Sequence, residues 1–263
     1  MQVVSLNGKV VADSIKNQLR EQLQGIETSQ RPGLGTILVG DDPGSKSYVA
    51  GKHRDCSEVG INSIRIDLPS NSTDAEIFAA IKRLNSDASC TGFILQLPLP
   101  GNRNHSEFLE AIDPKKDCDG LHPYNLGRLV MGERAPRPCT PAGVIRLLAH
   151  YQVELSGAHV VIIGRGSTVG RPMALMLSDR SINATVSVVH TGTRNPHALI
   201  KGADVVIAAL GKKWFVTREM VREGAVVVDV GLTRDGDQLY GDVDPAVSEV
   251  AERSRRFLEE WAL

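Results

Sequence analysis

Tyr48 and Lys52 stand four residues apart in SKSYVAGKHRDCSEVG, a stretch entered through the turn Gly40-Asp41-Asp42-Pro43-Gly44. A helix puts residues at this spacing on one face. Facing a ligand, the pair offers an aromatic ring for a flat substrate. Beside it is an amine whose proton affinity falls on burial or next to another cation, which is equipment for acid/base chemistry. Two further polar residues stand where ligands are often met. Gln96 closes the apolar run GFIL, at the carboxyl end of an expected strand where open α/β sheets place their crevice. Asp119 lies in Asp113-Pro114-Lys115-Lys116-Asp117-Cys118-Asp119-Gly120. Each also has an ordinary reading: a solvated lysine on an amphipathic helix, an amide satisfying loop carbonyls, and a polar turn.

A second constellation is Gly164-Arg165-Gly166-Ser167-Thr168-Val169-Gly170, which follows an apolar run and precedes a helical pattern. Small residues there let backbone amides approach a pyrophosphate at a helix N-terminus. The interval between the second and third glycines is one residue longer than in the common dinucleotide fingerprint, so a plain tight turn fits as well. The next apolar run ends in His190-Thr191-Gly192-Thr193-Arg194, without the acid that would hold a ribose 2′-hydroxyl. Arg165 and Arg194 supply cations, and Thr191 and Thr193 supply hydroxyls. That set suits a 2′-phosphate and predicts NADP over NAD, against the alternative of two solvated surface arginines.

The elements that must carry these residues alternate between strand-sized β-branched runs and longer amphipathic stretches, the pattern of βαβ units around a mostly parallel sheet. The expected class is α/β. Helices are expected over Lys9–Leu23, the Tyr48/Lys52 stretch, Asp74–Leu84, a segment after Thr140-Pro141, and Val169–Leu177. Strands are expected at LGTILVG, SIRIDLP, GFILQLP, AHVVIIG, ATVSVVH, DVVIAAL and AVVVDVG. The proline-rich GERAPRPCTP divides the chain into expected domains at 1–139 and 140–263, the second ending in a helix with Val247, Val250, Ala251, Phe257, Leu258 and Trp261 loosely on one face.

Lys plus Arg is 30 and Asp plus Glu is 31 in 263 residues, a net charge of −1. No general attraction to nucleic acid or anionic membrane is expected, so any anion site is local. Cys56, Cys90, Cys118 and Cys139 form no CxxC pair, and the seven histidines show no metal spacing. Neither a metal centre nor a disulfide framework is expected. The first twenty residues lack the apolar stretch of a signal peptide, which predicts a cytoplasmic protein.

Taken together, Tyr48 with Lys52, QLPLP, DPKKDCDGLHPYNLGRL, PCTPAGV, VIIGRGSTVGRPMA, VVHTGTR and VVVDVGL resemble the bifunctional methylenetetrahydrofolate dehydrogenase/methenyltetrahydrofolate cyclohydrolase family, FolD. The resemblance implies oxidation of 5,10-methylenetetrahydrofolate with NADP and hydrolysis of the methenyl product to 10-formyltetrahydrofolate. It implies two α/β domains with a cleft between them and a homodimer through the nucleotide-binding domains. It also assigns Tyr48 as the folate platform, Lys52 as the general acid/base, Gln96 as its tuning partner and Asp119 as the pterin carboxylate. Cofactor contacts fall on Gly164, Arg165, Gly166, Thr191 and Leu232. The likeness stops near Val243: where the family continues into Pro-Gly-Gly-Val-Gly-Pro and a final helix, this chain reads SEVAERSRRFLEEWAL. Gly166 stands where many relatives carry Ser. Two other readings remain at this stage, a catalytically silent NADP- or folate-binding relative and a different NADP-dependent oxidoreductase.

Overall fold

The computed structural model describes residues 4–236, 238–251 and 253–256. In chain order the elements are β1 (Val4–Ser5), α1 (Gly8–Leu23), β2 (Gly33–Val39), α2 (Pro43–Val59), β3 (Asn62–Leu68), α3 (Asp74–Ser86), β4 (Gly92–Leu95), α4 (His105–Glu110) and α5 (Pro123–Val130). There follow α6 (Cys139–His150), β5 (His159–Ile163), α7 (Gly170–Leu177), β6 (Thr185–Val189), α8 (Pro196–Lys201), β7 (Val205–Ala208), β8 (Val226–Asp229), β9 (Thr233–Asp235), β10 (Gln238–Tyr240) and β11 (Arg253–Arg256). The class is α/β. No helix among the described residues is long and apolar enough to cross a membrane.

Two compact units divide the chain. One is Ala12–Arg137; the other joins the described residues up to Val11 to the described residues from Pro138 to Arg256. In the Ala12–Arg137 unit, β2 is the centre of a parallel sheet of order β3-β2-β4. A parallel bridge between Phe93 and Asp117 extends the β4 side. Ile37, Ile77, Ile81, Leu84, Phe93 and Leu95 are fully or almost fully buried in its core. Helix α2 starts where the sequence says it should. Asp42 caps the Ser45 amide, Pro43 occupies the first turn, and Gly60 closes the helix in the left-handed conformation. Strand β4 ends at Leu95, short of the expected GFILQLP, but the Gln96 amide still donates to Ile37 O at 2.9 Å. Beyond it the Leu97-Pro98 bond is cis.

In the second unit a six-stranded parallel sheet runs β1-β11-β8-β7-β5-β6. Its strands β5, β7 and β8 are nearly continuous apolar runs because both faces are covered. Val161, Ile163, Val206, Ala208, Val227 and Val247 lie in one of its core clusters. From β5 the chain steps to β6 on one side and to β7 on the other, so strand order reverses between β5 and β7.

Two departures from the sequence reading concern the chain's ends. Residues 4–11, expected in the first domain, fold with the second unit: β1 pairs with β11, and Leu6 is fully buried. The expected terminal helix is not formed over its described part. Pro245–Glu249 is a 3₁₀ turn capped by Asp244, and Arg253–Arg256 is a strand lying in parallel register on β8. Val247, Val250 and Ala251 do pack on the core, because one short turn satisfies the same three- and four-residue spacing as a helix. The following residues find the unpaired backbone groups of β8 and extend. Phe257, Leu258 and Trp261 lie outside the described residues.

Candidate active site

In the Ala12–Arg137 unit, α2 and the end of β4 bring Lys52 and Gln96 together. The Lys52 ammonium donates to Gln96 Oε1 at 2.9 Å. Gln96 Nε2 donates in turn to its neighbour's carbonyl, Leu97 O, at 2.8 Å, which fixes which end of the amide faces the lysine. Strand order also turns about β2 here, so Gln96 stands at the carboxyl edge where a ligand crevice is expected. Both side chains are half-buried.

Asp119 lies within electrostatic reach of this pair. Burial raises its carboxyl well above the usual range; the Lys52 charge opposes the rise and the Asp117 charge adds to it. The loop carrying Asp119 is shaped by Asp117, only 2 % exposed. The Asp117 carboxylate accepts from His122 N and Asn125 Nδ2, each at 2.8 Å, and from Leu121 N at 3.3 Å. Sequence reasoning passed over Asp117 and Asn125. The available signal was the Asp-x-Asp-Gly spacing, two acids one residue apart before a glycine. Tyr48, one turn before Lys52, is half-buried, and burial pushes its phenol up. His53 serves another face: it is hydrogen-bonded to Thr36 Oγ1 at 2.7 Å and to Ser63 Oγ, and burial lowers its basicity, with Arg65 adding to the effect. The arrangement is thus an ammonium, an amide that orients it, a carboxylate poorly solvated when charged, and an aromatic ring.

In the second unit, the glycine turn follows β5 at the point of strand reversal. Gly164 has φ +118°, and a Cβ there would sit 2.2 Å from Ala209 O. A Cβ at Gly170 would sit 2.2 Å from Gly164 O. These two glycines are therefore required by close backbone approach. Gly166 differs: nothing lies within 4 Å of its would-be Cβ. Arg165 and Gly166 are exposed around this turn, and Thr191 and Arg194 are exposed after β6. Thr193 is engaged in the β6 turn, its hydroxyl accepting from His190 N at 2.9 Å. Leu232, after β8, is 37 % exposed.

Asp242, which sequence reasoning did not single out, is fully buried. Its carboxylate accepts from Leu210 N, Gly211 N and Lys212 N at 2.5, 3.0 and 2.6 Å. A hollow of about 470 Å³ in the same unit is lined by Trp214, Leu239, Tyr240 and Val243 among others. None of the sequence-predicted site residues lines it.

Comparison with known proteins ties the two constellations to one family. The family model described as tetrahydrofolate dehydrogenase/cyclohydrolase, catalytic domain, matches residues 6–119. The model of the same family's NAD(P)-binding domain matches residues 138–255. The chain belongs to the tetrahydrofolate dehydrogenase/cyclohydrolase family. Tyr48, Lys52, Gln96 and Asp119 all fall inside the catalytic-domain match, and Gly164 to Leu232 inside the other.

Solved structures agree. The bifunctional FolD methylenetetrahydrofolate dehydrogenase/cyclohydrolase of Campylobacter jejuni is 39% identical with a TM-score of 0.92, over 99% of this chain and 94% of that one. A 5,10-methylenetetrahydrofolate dehydrogenase from the silkworm Bombyx mori is 33% identical at 0.92, over 99% and 92%. The Trypanosoma brucei FolD, solved with NADP cofactor and an inhibitor, is 33% identical at 0.92, over 100% and 93%.

Proposed function

We propose that this chain oxidises 5,10-methylenetetrahydrofolate with NADP to the 5,10-methenyl compound and hydrolyses that product to 10-formyltetrahydrofolate. The observation that carries the reading is the 2.9 Å bond between Lys52 and Gln96, beside a carboxylate that feels the lysine's charge, in a chain of this family.

The roles follow from the chemistry of each group. The Tyr48 ring stacks on the flat pterin. Asp119 accepts hydrogen bonds from the pterin amino and ring NH groups, and those bonds restore the charged form that burial penalises. Acting in its amine form, Lys52 takes one proton of the water as its oxygen bonds the methenyl carbon, and returns that proton to the ring nitrogen as the C–N bond breaks; the remaining hydroxyl proton leaves to solvent as the formyl C=O forms. Gln96 holds that amine in line through its own anchor on Leu97 O.

The residues present fit the cofactor. Gly164 and Gly170 let the turn fold tightly on neighbouring backbone, and the space beside Gly166 is open. Gly164, Gly166 and Thr191 would hold the phosphates and ribose, Arg165 and Arg194 the 2′-phosphate, and Leu232 the nicotinamide end. When bound, NADP supplies the hydride acceptor; the chain's part is to orient the folate carbon and exclude water.

We extend the reading to a homodimer through the nucleotide-binding units, supported by exposed Trp214 and Leu239 on that unit, and to a cytoplasmic setting, supported by four cysteines spread along the sequence without a CxxC pair. Sedimentation as a monomer at micromolar concentration would overturn the dimer. The function itself is tested by steady-state assay of both half-reactions. Formation of methenyl-folate absorbance with NADP, and its decay on hydrolysis, are expected; NADP binding without either turnover would overturn the proposal.

A further inference from the structure

The loops at the carboxyl ends of β7 and β8 are tied to each other by buried acids. After β7, the successive amides of Leu210, Gly211 and Lys212 all point at the Asp242 carboxylate. After β8, Asp229 accepts from Gly231 N at 3.2 Å, from Asp242 N at 3.0 Å and from Val243 N at 3.1 Å. The Asp242 carboxylate is packed so closely on the next loop that a Cβ at Gly231 would lie 1.9 Å from its Cγ. Leu232 is the following residue. On the other side, Ala209 connects the Leu210–Lys212 loop to the glycine turn: its carbonyl is the group that forbids a Cβ at Gly164, and its amide donates to Ile163 O at 2.8 Å. Val230 N and Gly231 N both donate to Ala208 O, at 2.7 and 3.1 Å.

We infer that Asp242 is the positioning residue of the NADP site, acting through the Leu210–Lys212 loop and the Gly231-Leu232 backbone without touching the cofactor; this rests on the function proposed above. A charged carboxylate surrounded by backbone N–H donors makes strong bonds and holds their direction. Three donors converge on its two oxygens, so an amide cannot replace it: one oxygen becomes an NH₂ group set against an N–H. The loop would then lose its direction while the Lys52–Gln96 pair, in the other unit, keeps its own bonds.

The two half-reactions provide the test, because hydrolysis of added methenyl-folate needs no NADP. For D242N in the full chain, NADP affinity by direct titration and the KM for NADP should weaken by about 10- to 100-fold, as for loss of a charge-assisted bond. Hydrolysis should stay within about twofold, since it uses no NADP and Lys52 and Gln96 share no bonding partner with Asp242. G231A is the second variant, since its Cβ displaces the Asp242 carboxylate without removing its charge; the same split is expected, and it decides the matter if D242N does not fold. Unchanged NADP affinity in these variants, or a parallel fall of both activities with the melting temperature, would overturn the inference. Wild-type protein that fails to bind NADP would instead sink the proposed function.

Discussion

Lys52→Met keeps an unbranched stem and removes the amine that donates to Gln96. General acid/base catalysis is worth roughly 10²–10⁴-fold, so hydrolysis of methenyl-folate should fall by about that factor. Hydride transfer needs no proton from this amine and should fall less; equal loss in the two steady-state assays would remove Lys52 from its role. Asp119 yields a pH prediction. Its folded pKa is raised, so it contributes stability below the ordinary carboxylate value of about 4 that is lost as pH rises through the folded value. Asp119→Asn has no charge to bury. Without ligand it should therefore melt above wild type near neutral pH, with the gap closing as pH falls towards about 4, while folate affinity drops about 10- to 100-fold. Thermal melts across that pH range check the sign. Replacing Arg165 and Arg194 together with Ala should weaken NADP about 10- to 100-fold and leave NAD nearly unchanged. An unaltered preference in cofactor titrations would refute the phosphate assignment.

At the level of elements, the glycine turn divides into positions that tolerate a side chain and positions that do not. Gly164→Ala forces a Cβ onto the Ala209 carbonyl and should destabilise by about 1–3 kcal/mol and impair NADP binding; Gly166→Ser has open space and should change neither. Differential melting and titration would show the contrast.

Helix α2 was legible because its cap, its proline and its closing glycine are written locally, and the Tyr48–Lys52 spacing came with it. Helices α5 and α8 carry the same kind of signal, His122-Pro123 and Asn195-Pro196, but are too short to show periodicity. The β9–β10 hairpin was not predicted, although Gly236 directly after β9 is a turn signal. Strand β11 was not announced at all. Arg253-Ser254-Arg255-Arg256 has no alternating apolar pattern, and becomes a strand only because β8 and β1 offer backbone partners. Asp117 and Asp242 were equally hidden as positioning groups. Each acts on backbone amides, and the Asp242 donors lie 30 to 32 residues away.

Across the whole molecule, alternation of strands and amphipathic stretches was enough to predict two α/β parts, since each βαβ unit reports its class from nearest neighbours in sequence. It was not enough to predict which part holds residues 4–11, because that depends on pairing across nearly the full chain. Ligand linkage adds a test at this scale: NADP at 100 times its Kd should stabilise the protein by about 2.7 kcal/mol, and a melting curve unmoved by NADP would contradict the cofactor assignment.

The pairing of β1 with β11 also bears on how this polypeptide reaches its native state. During synthesis Val4 and Ser5 emerge some 250 residues before their partners Arg253 and Ser254. The rim of that sheet must wait, its amides open to solvent or to a chaperone, until Arg253 and Ser254 have been made. A stalled ribosome or an early stop would release a chain with the exposed border that invites self-association.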